Sequence, residues 1–169
     1  MASNRHLGRI VALQTLYELD FRMDVAEKNL DIEAIIARNV NRYSEVMPDK
    51  DFVTNIVRGV LACIKELDEL LQPLAPEWPL NQIARIDRVI LRIGLWEIQQ
   101  NNNGAPVKVV INEAVELAKT FGAENSSKFV NGVLGSAAKQ LGHVKETKTT
   151  GAKKRTPLKE REGKTDEAS

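Results

Sequence analysis

The stretch IARIDRVILRIGLWEI, residues 83–98, decides the fold. Apolar side chains occupy most sides of a helix drawn through it, and the same character extends from Asn81 to Gln100. A helix that is apolar nearly all round is typical of a central position, where other helices surround it. The sequence therefore predicts a buried helix here, around which the rest of the domain packs.

The segments on either side repeat apolar residues at helical spacing, and none shows the clear alternation of a strand. The predicted helices cover residues 9–23, 32–43, 52–71, 81–100, 107–121 and 126–141. We interpret the segment that follows Pro48 and Asp49 as one helix of about 22 residues, or about 33 Å. The connection QPLAPEWPL, residues 72–80, ends it, because proline lacks a donor and clashes one turn back. The predicted fold class is all-α, a compact bundle of about seven helices.

The net charge of +1 is unevenly distributed along the chain. Eight of the 24 Lys and Arg residues and five of the 23 Asp and Glu residues lie from Val144 onward, so the first 143 residues have a net charge of −2. Residues 144–169 have almost no apolar content and are predicted to be a disordered charged tail, because they cannot offset the entropy of ordering. An arm that strengthens RNA binding through residues 153–155 is the alternative. Residues 1–143 form the predicted domain.

The composition predicts a cytoplasmic protein. No apolar run approaches the roughly 20 residues that span a bilayer, and the first residues lack the apolar block of a secretory signal. The single cysteine, Cys63, excludes an internal disulfide and fits a reducing compartment.

Side chains suited to catalysis or metal binding are sparse. His6 and His143 lie near opposite ends of the predicted domain, and neither has a metal-ligand spacing with cysteine or carboxylates. Glu113 and Glu116 are three residues apart on a predicted helix, and we interpret them as a solvent-facing pair with Glu116 near Lys119. No glycine-rich phosphate loop is present. We therefore predict no enzyme activity, no metal and no cofactor.

Groups that suit single-stranded RNA occur in two segments far apart in the chain. The candidates are Arg5, His6, Arg9 and Tyr17 in the first helix, and Lys128 and Phe129 at the start of the last. Guanidinium groups, aromatic faces and amides are the usual means of holding such RNA. We expect the two segments to meet in one groove. Scattered surface charge and a core role for Phe129 are the alternatives.

The elbow between the last two helices, within FGAENSSKFVNGVL (121–134), supplies a second expectation. Gly122 is predicted to turn the chain in a left-handed conformation. The turn would place the N–H groups of the new helix near Lys128 and Phe129, where they could hold a phosphate.

A second basic line follows the most apolar helix, at Arg85, Arg88 and Arg92. We interpret these residues as forming salt bridges to neighbouring helices, with Asp87 and Glu97 as nearby partners. Ligand contact is the less favoured alternative.

Five blocks together carry a family resemblance. They are GRIVALQTLYELD (8–20), DFVTNIVRGVL (51–61), IARIDRVILRIGLWEI (83–98), PVKVVINEAVELAKTFG (106–122) and AENSSKFVNGVL (123–134). In these blocks the chain resembles the NusB family of transcription antitermination factors. The resemblance implies two packed helical subdomains and binding of the boxA RNA element together with NusE, a protein of the small ribosomal subunit. It also implies support of RNA polymerase in reading through terminators, notably on ribosomal RNA operons.

The resemblance also implies roles for individual residues. The RNA-binding positions are Arg5, His6, Arg9, Tyr17, Glu124, Asn125, Lys128 and Phe129. Leu7 stands where a further basic residue is common, so the arginine motif is thin. Asn125 stands where some relatives have Asp. The absence of that negative charge should reduce repulsion of phosphate. Loss of the Arg9 side chain should weaken RNA binding at little cost in stability.

We expect NusE to bind a different face, with Glu77, Trp78 and Arg85 as contact residues. A homodimer surface is the alternative for that face. The alternative function is a protein-only helical adaptor or dimeric scaffold without direct RNA contact.

Overall fold

The computed structural model describes residues 3–47, 49–100 and 105–142. Seven α-helices and no strand lie within these ranges, so the predicted all-α fold is confirmed. The helices are α1 (Asn4–Asp24), α2 (Ile32–Arg42), α3 (Lys50–Ala62), α4 (Ile64–Leu71), α5 (Arg85–Gln100), α6 (Val107–Phe121) and α7 (Ser126–Gln140). None of them is long and apolar enough to cross a membrane. The predictions made for Pro48, His143 and residues 144–169 fall outside the described residues.

Side-chain caps set the starts of three helices. The Ser3 hydroxyl accepts a hydrogen bond from the His6 N–H at 3.1 Å, and the Asp31 carboxylate accepts one from the Ala34 N–H at 3.0 Å. Asp49 does the same for α3. Such caps satisfy N–H groups that the first turn of a helix leaves without a partner. The cap at Ser3 starts α1 early enough for Arg5 and His6 to be helical.

The single helix predicted over residues 52–71 is wrong, because the backbone leaves the helical conformation at Cys63, with φ −132° and ψ 29°. The Cys63 thiol donates to the Gly59 carbonyl at 2.9 Å, and burial raises the pKa of the thiol. Gly59 lies against Trp96 so closely that any Cβ there would overlap the indole. The chain therefore forms two helices, α3 and α4, and both pack against α5.

Helix α5 lies at the centre of the fold, as predicted. It contacts α1, α3, α4, α6 and α7, and every residue from Val89 to Ile98 is buried. The other contacts divide the helices into two groups, α1–α4 and α6–α7, which α5 joins. Helices α1 and α6 both pack against α5. Parts of α1 and α6 that lie near the same end of α5 therefore lie near each other.

Candidate nucleic-acid interface

We call Arg5, His6 and Arg9 the N-terminal cluster. Carboxylates within the fold hold two of its members, His6 and Arg9. Arg9 is only 3% exposed and Glu97 only 2%. The Arg9 Nε and Nη2 atoms donate to the two Glu97 carboxylate oxygens at 2.9–3.3 Å. Arg9 therefore joins α1 to α5 through a buried ion pair. Direct RNA contact by Arg9, predicted above, would require the guanidinium to leave this pair.

His6 and Arg5 lie closer to the surface than Arg9. The His6 Nδ1 atom is 2.6 Å from Glu113 Oε2, which joins the start of α1 to α6. Arg5 is exposed, and its guanidinium lies 5.5 Å from the centre of the Phe52 ring. The prediction that Glu113 faces solvent is therefore wrong, whereas the predicted pairing of Glu116 with Lys119 is confirmed at 3.2 Å.

The elbow between α6 and α7 turns in a way that the sequence did not predict. Gly122 has φ −88° and ψ −174°, so its backbone is extended and the predicted left-handed conformation is wrong. Glycine is needed for space, because a Cβ at this position would lie 2.5 Å from Ser126 Cβ and 2.6 Å from the Ala118 carbonyl oxygen. The Ser126 hydroxyl accepts from the Ala123 N–H at 2.8 Å and closes the turn. Asn125 is the N-cap residue of α7 but makes no side-chain cap hydrogen bond.

A cleft of about 400 Å³ opens between this elbow and the start of α5. We call it the first cleft; its lining residues include Trp78, Ile83, Asp87, Asn125, Ser126 and Phe129. Trp78 is 55% exposed, whereas Phe129 is partly buried and also packs against the core. Glu124 lines the first cleft too.

Asp87 gives the first cleft a distinctive chemistry. It is 8% exposed, and its Oδ1 atom is buried without a hydrogen-bond partner among the described residues. A buried polar group in this state is costly, so such groups are rare and mark sites that a donor can complete. The first cleft is therefore lined by aromatic side chains and by an acidic residue whose Oδ1 atom is buried.

A second cleft, of about 410 Å³, lies on the other side of the same two aromatic residues. Its lining includes Leu74, Pro76, Glu77, Trp78, Lys128, Phe129 and Val133. Glu77 and Trp78, predicted for NusE, thus lie beside Lys128 and Phe129, predicted for RNA. Residues predicted for the two binding sites thus line one cleft, and Trp78 and Phe129 line both clefts.

The three arginines of α5 form salt bridges to neighbouring helices, as predicted, but not with Asp87 or Glu97. Arg85 pairs with Asp20 and Asp24, Arg88 with Asp20, and Arg92 with Asp20 and Asp68, at 2.6–3.1 Å. Burial raises the pKa of Asp20, but hydrogen bonds from Arg92 and Arg88 outweigh it and hold that pKa below its ordinary value. Arg85 also lies 5.4 Å from the centre of the Phe21 ring. It belongs to the α1–α5 contact and lines neither cleft.

The structure does not bring the two predicted RNA-binding groups together in one groove. The N-terminal cluster meets α5 at Glu97, and the elbow meets it at Asp87, ten residues earlier. At 1.5 Å per residue, these points are about 15 Å apart along α5. Tyr17, 41% exposed, lies on α1 eleven residues, or about 16 Å, beyond His6. The candidate interface is therefore two separate clusters.

Sequence reasoning considered Asp87 only as a salt-bridge partner of the α5 arginines and did not place it in a cleft. It sits in the first turn of α5, where an acidic residue is ordinarily explained by the helix dipole.

Comparison with known proteins agrees with this fold. The NusB family model matches residues 6–139. The transcription antitermination protein NusB of Herpetosiphon aurantiacus is 43% identical over 136 residues, which cover 79% of this chain and 89% of that protein. A solved structure of T. maritima NusB has a TM-score of 0.70 and 31% identity, covering 83% of this chain and 94% of its own. A structure of the antitermination factors NusB and NusE in complex with dsRNA shares the fold, with a TM-score of 0.69, 21% identity, and coverage of 83% and 99%. The chain belongs to the NusB family.

Proposed function

We propose that the chain is an RNA-binding transcription antitermination factor that binds boxA RNA together with NusE. In this role it would support RNA polymerase in reading through terminators, notably on ribosomal RNA operons, in the cytoplasm. The observation that carries the RNA contact is the first cleft, which Trp78 and Phe129 line together with Asp87. The named relative and the solved NusB–NusE–RNA structure support the same function.

The first cleft suits one unstacked base. Stacking of a base on an aromatic side chain contributes about 1–3 kcal/mol, and any base can provide it. The Asp87 carboxylate can only accept hydrogen bonds while ionised, so it selects an N–H on the base edge. Adenine, cytosine and guanine could donate an exocyclic amino N–H and uracil its N3–H, so the acceptor would orient a base edge without selecting one base by itself.

The N-terminal cluster provides a second contact on the same RNA. Arg5 and His6 lie at the start of α1, and about 15 Å separates their end of α5 from the first cleft. Stacked nucleotides rise about 3.4 Å each along a strand, so four or five nucleotides would bridge the gap. Tyr17 lies on α1 between the two ends and can support the strand there.

The second cleft is where NusE would meet the RNA-bound surface. Its lining combines apolar side chains with Glu77 and Lys128, which suits a protein side chain with a polar end. Because Trp78 and Phe129 line both clefts, the two ligands would be neighbours. Tighter RNA binding in the presence of NusE follows from that arrangement. A homodimer through the second cleft is the competing occupant.

A protein-only adaptor without RNA contact is the alternative function. The ion pairs favour it, since Arg9, Arg88 and Arg92 are all engaged by carboxylates within the protein. A surface that neutralises its arginines internally attracts phosphate less.

The deciding experiment is an anisotropy titration of fluorescein-labelled single-stranded boxA RNA, with and without NusE, against a duplex DNA of equal length. We expect weak binding alone, tighter binding with NusE, and little binding to the duplex. Phosphate contacts at Arg5 and Lys128 would give a slope of log K against log salt of about −1.4, or about a sevenfold loss from 50 to 200 mM salt. If the chain binds NusE but binds no RNA with or without it, the protein-only adaptor is established instead.

A further inference from the structure

The connection that carries Trp78 is held by short-range turn hydrogen bonds of its backbone and by side chains from outside it. Residues 72–84 join α4 to α5 and contain Pro73, Pro76 and Pro79, which have no N–H to donate. Two short 3₁₀ turns, Gln72–Leu74 and Leu80–Gln82, flank Trp78. A segment of this kind keeps one conformation only where other groups hold it.

Gln72 spans Trp78 and the following turn with both ends of its amide. Its Nε2 atom donates to the Trp78 carbonyl at 2.9 Å, and its Oε1 atom accepts from the Leu80 N–H at 3.1 Å. The two bonds fall on either side of Pro79, which can make none through nitrogen. Arg88 secures the same turn from α5, because its Nη1 atom donates to the Leu80 carbonyl at 3.1 Å. The amide of Gln72 therefore holds the Trp78 carbonyl, while the Trp78 N–H donates to the Ala75 carbonyl at 3.2 Å.

We propose that Gln72 is a positioning residue for ligand binding: it fixes Trp78 as the wall that the first and second clefts share. The expected effect of Gln72 on ligand binding rests on the proposed RNA-binding function, whereas its expected effect on Trp78 does not. With the Trp78 backbone held, the indole has fewer positions to sample before a base arrives, so less ordering remains to be done on binding. Immobilising one large side chain on binding costs about 0.5–1.5 kcal/mol, which is a factor of about two to ten in affinity.

Tryptophan fluorescence tests the geometric part without any ligand. The chain has two tryptophans, and Trp96 is 6% exposed, so acrylamide quenching reports mainly on Trp78. Gln72→Leu removes both hydrogen bonds, whereas Gln72→Glu keeps the acceptor for the Leu80 N–H and loses the donor to Trp78. We expect steeper quenching and lower anisotropy in the order parent, Gln72→Glu, Gln72→Leu. Gln140→Leu, the same change at the far end of α7, is the matched control and should behave as the parent.

The binding part is tested with the same boxA RNA and with urea unfolding measured in parallel. Gln72→Leu should weaken RNA binding about two- to tenfold, Gln72→Glu less, and Gln140→Leu not at all. The free energy of unfolding should change far less than for a core substitution, which separates positioning from global destabilisation. Parental fluorescence in Gln72→Leu, or a dissociation constant within twofold of the parent, would overturn the proposal. If the parent itself binds no RNA, the proposed function fails, and the fluorescence series still decides whether Gln72 holds Trp78.

Discussion

The Arg9→Ala variant tests whether the N-terminal arginine motif serves the fold. Arg9 is 3% exposed and makes three N–H to carboxylate contacts with Glu97 at 2.9–3.3 Å. Removing it leaves the Glu97 carboxylate buried without its counter-ion, which costs about 3–5 kcal/mol. For a domain of this size each 1 kcal/mol lowers the melting temperature by about 2–4 °C, so a fall of about 6–20 °C is expected. This reverses the expectation from the sequence that Arg9 could be lost at little cost in stability.

Urea unfolding followed by circular dichroism, together with a thermal melt, measures the loss. Arg5→Ala is the matched control, because Arg5 lies one turn earlier, is exposed, and contacts the same Phe52 ring. Its cation–π contact is worth about 0.5–1 kcal/mol. A double variant, Arg9→Met with Glu97→Leu, removes both charges and should recover most of the stability. The reasoning is refuted if Arg9→Ala is no less stable than Arg5→Ala, or if the double variant is no more stable than Arg9→Ala.

Three further predictions concern the first cleft, the elbow and acid stability. Phe129→Ala should weaken RNA binding by about 1–3 kcal/mol in the anisotropy titration, whereas Phe121→Ala should not; equal losses would argue against stacking at Phe129. Gly122→Ala should lower the free energy of unfolding by about 1–3 kcal/mol in urea, because the new methyl would overlap Ser126 and the Ala118 carbonyl. Gly132→Ala, which has open space, should not destabilise, and a similar loss there would contradict the close-approach explanation. The pKa of Asp20 lies below its ordinary value, so its carboxylate stabilises the fold above about pH 3.9 and that contribution is lost as pH falls through the lowered pKa. Asp20→Asn should therefore flatten the loss of unfolding free energy between about pH 4 and pH 2, and an unchanged acid limb would show that Asp20 contributes little.

Most of the fold could be predicted from the sequence, because the signals were local. The stretch at 83–98 is apolar on most sides, which predicted the central position of α5. The break at Cys63 could not be predicted, since the apolar spacing runs through it without change. Gly59 lies within α3 against Trp96, a close approach that only the tertiary structure reveals.

The candidate site was less predictable, because it depends on depth and on distant neighbours. Periodicity placed Arg5 and Arg9 on one face of α1, but it could not show that α5 covers Arg9 alone. Trp78 and Phe129 are far apart in the chain, so the sequence could not show that they line the same two clefts. Gly122 was correctly singled out as special but for the wrong reason, since the requirement is space rather than a positive φ.

The charge distribution argues that this surface needs a partner to hold RNA well. The residues that precede Val144 have a net charge of −2, and several of their arginines are neutralised within the fold. Under the proposed function, base stacking in the first cleft would not depend on that field, but the acidic Asp87 in its lining would weaken affinity for the RNA backbone. A second protein that occupies the cleft beside Glu77 and adds cations there would supply the missing attraction, and the shared Trp78 wall would place those cations next to the bound base.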